Sequence, residues 1–141
     1  MSIQTKMEIL GKRRIIMENH QSIIPVLRIF DVDKAKNFYL DFLGFKLDWT
    51  HQFEENFPLY MQLSKDQYCL HLTEHYGDCS PGALVRLHMP DLEQFAQQLT
   101  EQNYAYAKPQ IETVPWGNLE VSIHDPFSNR LVFWKDQNQS I

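Results

Sequence analysis

One alternating pattern, written twice, limits what this chain can fold into. From Val114 to Lys135 the sequence VPWGNLEVSIHDPFSNRLVFWK gives an aromatic turn, an alternating strand, a turn built on Asp125, Pro126 and Asn129, and a second apolar run. PLYMQLSKDQYCLHLTE, from Pro58 to Glu74, repeats it as strand, polar turn, strand. Each hairpin follows an apolar strand and an amphipathic helix. These are IIPVLRIF with KAKNFYLDFLG in the first half, and ALVRLHM with DLEQFAQQLTEQN in the second. The chain therefore reads as two strand-helix-strand-strand-strand units, and such repeats bury their apolar faces by packing together.

Details of each unit follow from local chemistry. Asp31 or Asp33 can cap the first helix, whose face is Ala35, Phe38, Tyr39 and Phe42, and Gly44 stops it. Phe45 to Phe53 alternates through Leu47, Trp49 and His51, which puts those three on one side of a strand. Gly77 to Gly82 (GDCSPG) is the linker. Asp91 heads the second helix with Gln94 as its capping-box partner, and a weakly signalled strand falls within Tyr104 to Pro109. The expected organisation is a flexible leader over 1–21, one domain over 22–136 made of modules 22–76 and 83–136, and a tail over 137–141.

Strand parity then separates two faces. One carries Leu27, Ile29, Leu59, Met61, Leu63, Leu70, Leu72, Val85, Leu87, Leu119, Val121, Ile123, Leu131 and Phe133, all apolar. The other carries Arg28, Tyr60, Gln62, Cys69, His71, Thr73, Arg86, His88, Trp116, Asn118, Glu120, Ser122, His124, Val132 and Trp134. Helices packed on the apolar face leave a curved sheet whose open side is polar and aromatic, the lining of a ligand cavity.

Composition narrows the partners. With 141 residues, 43% hydrophobic and 22% charged, the chain has an ordinary globular composition, and a formal charge of −5 argues against nucleic acid or an anionic membrane as partner. Cys69 and Cys79 match no zinc-ligand spacing and suit a reduced, cytoplasmic setting. No apolar run reaches the ~20 residues of a membrane helix. His71-Leu72-Thr73-Glu74-His75 spells HxxEH, but zinc-protease chemistry needs that pattern on a helix, and here it lies on a strand. Glycine-rich phosphate loops, nucleophile elbows and paired catalytic carboxylates are missing.

The segments IPVLRIFDVDKAKNFYLDFLGF, PLYMQL, LHLTEH and PWGNLEVSIHDPFSNRLVFW resemble the glyoxalase/bleomycin-resistance family, the vicinal oxygen chelate superfamily, over about Ile23 to Asp136. The resemblance implies an α+β fold of paired βαβββ modules, forming a curved mixed sheet with helices on the convex side. It also implies homodimers whose cavities lie between modules. Enzymes of that superfamily hold a divalent ion at four strand positions, which fall here on Ile24, His71, Leu84 and Val132. Three of these carry no donor, so the resemblance leans to the metal-free, cofactor-free bleomycin-resistance branch.

In that branch Trp116 would stack a flat heteroaromatic ligand. Tyr60, His71, Glu120, Arg28, Arg86 and Trp134 would line the same cavity, and Trp49, His51, Phe53 and Phe57 would form the opposing wall, from the other subunit. The expected activity is sequestration of a planar cationic small molecule, of the bleomycin type or a native metabolite. A metal-dependent lyase, isomerase or dioxygenase of the same superfamily stays open as the alternative.

Overall fold

A computed structural model describes residues 23–105 and 107–137; the leader over 1–21 and the tail beyond 137 lie outside the described residues. β1 (Val26–Arg28) leads into a helix that Asp31 caps, its carboxylate accepting from the Lys34 amide at 2.9 Å. The helix runs as α1 (Val32–Lys36) and then widens into a π-helical stretch, Asn37–Phe42, where the Leu43 amide reaches back five residues to the Phe38 carbonyl. β2 (Lys46–His51), β3 (Tyr60–Lys65) and β4 (Tyr68–Thr73) complete the first unit. The second consists of β5 (Leu84–His88), α2 (Leu92–Glu101), β6 (Glu112–Thr113), β7 (Asn118–His124) and β8 (Arg130–Asp136).

Both units make the same four-stranded sheet, ordered β1-β4-β3-β2 and β5-β8-β7-β6, with the first pair parallel and the others antiparallel. The repeat is exact at the strand ends, where Ile29 donates to the Thr73 carbonyl and Met89 donates to that of Trp134. Superposing those bonds makes His71 the counterpart of Val132. The apolar parity set packs with Phe38, Tyr39, Phe42, Phe95 and Leu99 from the helices into one core shared by both units.

A polar hub built from the DPFSNR turn joins the units. Asp125 Oδ2 accepts from the Tyr39 hydroxyl at 2.7 Å and from Asn129 Nδ2 at 2.9 Å, while Oδ1 accepts from the Phe127 and Asn129 amides. Asn129 Oδ1 accepts from the Gly82 and Ala83 amides, and its Nδ2 also donates to the Arg28 carbonyl. One fully buried amide thus ties β1, the linker and the last hairpin together. Ser128 sits at φ 75°, the left-handed region usually left to glycine, and the hub's bonds on either side hold it there.

Four local expectations are corrected. The third strand of the second unit is Glu112–Thr113, outside Tyr104 to Pro109, because the Tyr104 ring is drawn onto Phe42, stacked at 4.4 Å. Asp91 makes no capping bond, since its backbone (φ −99°, ψ 46°) is outside the extended region that a capping box requires. The first helix is not α-helical throughout. A bulge between Leu47 and Trp49 breaks the alternation in β2, so that Leu47 pairs Leu63 on the core side while Trp49 pairs Gln62 on the open side.

Candidate functional site

The bulge at Asp48 assembles a cluster on the open face of the first sheet. Trp49 lies nearly parallel to Tyr60 (6.1 Å, 12°), and the His71 ring stands edge-on to both, at 5.4 Å and 5.2 Å. Trp49 is 43% exposed, so its indole is available to a ligand. An ordinary alternating strand would have left Trp49 on the same side as Leu47.

Beneath the rings runs a hydrogen-bond relay with a fixed direction. Asp48 accepts from Ser64 Oγ and from Gln62 Nε2, both at 2.9 Å. The Gln62 amide oxygen therefore faces His71 Nε2 at 3.0 Å, and that nitrogen must carry the proton. His71 Nδ1 is left as an acceptor and takes the Tyr60 hydroxyl at 2.7 Å. The imidazole is held neutral in one tautomer with both nitrogens engaged. Burial pushes its pKa down in the same direction. Burial first, then the nearby Asp78 and Cys79, push the Tyr60 phenol up and keep it a donor.

The second sheet carries a separate set. Arg86 bridges to Glu120 at 2.8 Å and lies 5.7 Å from the Trp134 ring, which also packs on His88 at 4.6 Å. An exposed ion pair of this kind stabilises the fold little, at most about 1 kcal/mol. Its value is that the guanidinium is held over an aromatic face.

The structure thus brings together Trp49, Tyr60 and His71 on one sheet, correcting the expectation that Trp49 faces the other two from the opposing wall, and it brings Arg86, Glu120 and Trp134 together on the other. It does not gather the remaining candidates. Arg28 lies over Phe30 at 4.5 Å, His51 packs on Phe53 at 5.0 Å, and Phe57 sits in the β2–β3 loop with its carbonyl accepting from Gln52. Trp116, on the β6–β7 turn that Gly117 makes at φ +96°, is 67% exposed and has no ring contact among the described residues. Gln62 and Ser64 were missed as members of the cluster. Parity alone could have found Gln62, but the bulge that turns Asp48 inward has no sequence signal of its own.

The superfamily's metal does not fit these residues. Ile24, Leu84 and Val132 offer no donor, and His71 would have to give up Tyr60 or Gln62 to become a ligand. No group of three or more His, Cys, Asp or Glu side chains converges among the described residues.

Two mixed sheets, each a βαβββ unit with helices on the outer face, define the class of glyoxalase/bleomycin-resistance folds. The chain belongs to the glyoxalase superfamily, whose family model, described as a glyoxalase superfamily protein, matches residues 10–140. Solved structures agree in fold. TnmS3, an antibiotic-binding protein from Streptomyces sp. CB03234, is 22% identical, with 83% of this chain and 99% of that chain covered at a TM-score of 0.60. A bleomycin-binding protein complexed with bleomycin is 22% identical, with 82% and 98% covered at 0.62. A glyoxalase-related enzyme from Clostridium phytofermentans is 20% identical, with 82% and 95% covered at 0.64. No curated protein matches the chain in sequence. Among the described residues no helix is long and apolar enough to cross a membrane.

Proposed function

We propose that this protein binds a flat, cationic small molecule on its open sheet faces and holds it without chemical change. The observation that carries the reading is the exposed Trp49 over Tyr60 and His71, with the Asp48 carboxylate at the edge of the same cluster. Aromatic faces attract planar cations through dispersion and the ring quadrupole. Every ring nitrogen of His71 is already engaged, so the cluster is organised to receive a ligand rather than to move protons. The antibiotic-binding relatives support the choice of ligand class.

Residues 22–136 act as one domain in this reading, in the cytoplasm. A second copy closes the open faces into cavities and brings Trp116, His51 and Phe57 opposite the Trp49 cluster. Arg28, Arg86, Glu120 and Trp134 complete the wall on the second sheet. An enzyme reading needs His71 freed from its relay and metal donors from outside the described residues.

Titrating bleomycin against tryptophan fluorescence tests the proposal. Saturable quenching at micromolar drug is expected, weakened about tenfold or more in Trp49→Ala and in Trp116→Ala. Absence of quenching at that concentration sinks the assignment.

A further inference from the structure

We propose a second small-molecule site, in a cleft of about 590 Å³ between the first helix, the segment after α2 and the β7–β8 turn. The site takes an amphoteric molecule with an aromatic body, the class of aromatic amino acids and short peptides ending in them. Three observations meet there.

The first is unused polar chemistry. Asp33, Lys34, Asn37 and His124 all line this cleft, all are exposed, and none of their side chains has a hydrogen-bond or ionic partner among the described residues. The open sheet faces differ, because Tyr60, Gln62, His71, Asp48, Arg86 and Glu120 satisfy one another. A carboxylate, an ammonium, an imidazole and an amide around one hollow match a ligand carrying both charges better than a simple cation or anion.

The second is a rigid wall whose ligand-facing ring is the half-buried Tyr104, backed by the fully buried Phe38 and Tyr39. Phe38 and Tyr104 meet edge to face at 6.1 Å, and Phe38 meets Tyr39 the same way at 4.9 Å. Tyr39 is in turn fixed to Asp125, itself buried and part of the lining. A wall held by packing and buried hydrogen bonds binds without first having to be ordered. The third is the change from α- to π-helix at Asn37, where the helix meets the cleft. Such widened turns are frequent at functional sites.

Calorimetry of the full chain with L-phenylalanine, phenethylamine and 3-phenylpropionate tests this site. L-phenylalanine should bind saturably at millimolar concentration or below, and each analogue, lacking one charge, at least about tenfold more weakly. Asp33→Asn, Lys34→Met and His124→Ala change exposed side chains, and at least one of the three should weaken L-phenylalanine by about the same factor. Trp49→Ala should leave it unchanged. No saturable binding of L-phenylalanine overturns the site, as does binding insensitive to all three variants. Binding abolished by Trp49→Ala also overturns it by placing the ligand on the sheet face. Because bleomycin quenching reports on that other face, the two proposals fail separately.

Discussion

Replacing Asn129 by alanine should cost more stability than almost any surface-distant polar change in this chain, and its size can be worked from the bonds it breaks. Asn129 is 0% exposed and its amide serves four partners: the Gly82 and Ala83 amides, the Arg28 carbonyl and Asp125. Gly82 is exposed and recovers a water, and Asp125 keeps Tyr39. That leaves the Ala83 amide and the Arg28 carbonyl without a partner in a part-buried place. At about 1–3 kcal/mol for each orphaned group, the loss is about 2–6 kcal/mol. For a domain of this size that is a fall in Tm of about 6–24 °C. Urea unfolding followed by far-ultraviolet circular dichroism measures it, provided the slope is unchanged. Asn129→Asp separates the roles, since it keeps the acceptor for Gly82 and Ala83 but loses both donor bonds and sets a second carboxylate against Asp125. It should be less destabilising at acid pH than at neutral pH. A loss below about 1 kcal/mol for the alanine variant would refute the idea that this amide joins the two units.

His71 should titrate below 6.5 by nitrogen-detected NMR, in the Nε2-protonated tautomer, and Tyr60→Phe should raise its pKa by removing the donor that holds it neutral. Because its folded pKa is lowered, the unfolded chain binds the extra proton first, so stability falls as pH drops from about 6.5 toward the folded value. At the alkaline end Tyr39 is raised well above 10, chiefly by burial, and Tyr68, whose hydroxyl donates to the His88 carbonyl, is raised to about 12. Both keep their protons in the folded state after the unfolded chain has lost them, so stability should fall as pH rises above about 10, less steeply in Tyr39→Phe. Sedimentation should give a dimer at micromolar concentration, and a monomer would remove the between-subunit cavity. Metal analysis of the purified protein should find less than one divalent ion per chain, and one tightly held ion would reverse the reading of His71.

The two-unit plan was legible because it rests on period-two alternation, which depends only on the order of apolar and polar residues. Leu27 opposite Leu72 and Leu87 opposite Phe133 are both consequences of it. The local exceptions were not legible. The bulge at Asp48 is fixed by how Leu47 and Trp49 pair across to β3, a contact made only after the sheet forms. Tyr104 likewise reads as a strand residue until Phe42 offers it a ring to stack on. The candidate site divides along the same line. Tyr60 and His71 were visible from parity, whereas the relay that sets the imidazole's tautomer depends on Asp48 and Gln62 being turned toward each other. The second cleft gave no signal, because its lining comes from three distant segments that only the fold brings together.

The Asn129 hub also sets the order in which the protein can be finished. The Arg28 carbonyl waits for a side chain 101 positions later, and the Tyr39 hydroxyl for one 86 later. At a synthesis rate of roughly 5–20 residues per second, the first unit spends on the order of 5–20 s emerged but open at that corner. Until the β7–β8 hairpin arrives, the Arg28 carbonyl and the Tyr39 hydroxyl of the nascent first half have water in place of their final partners.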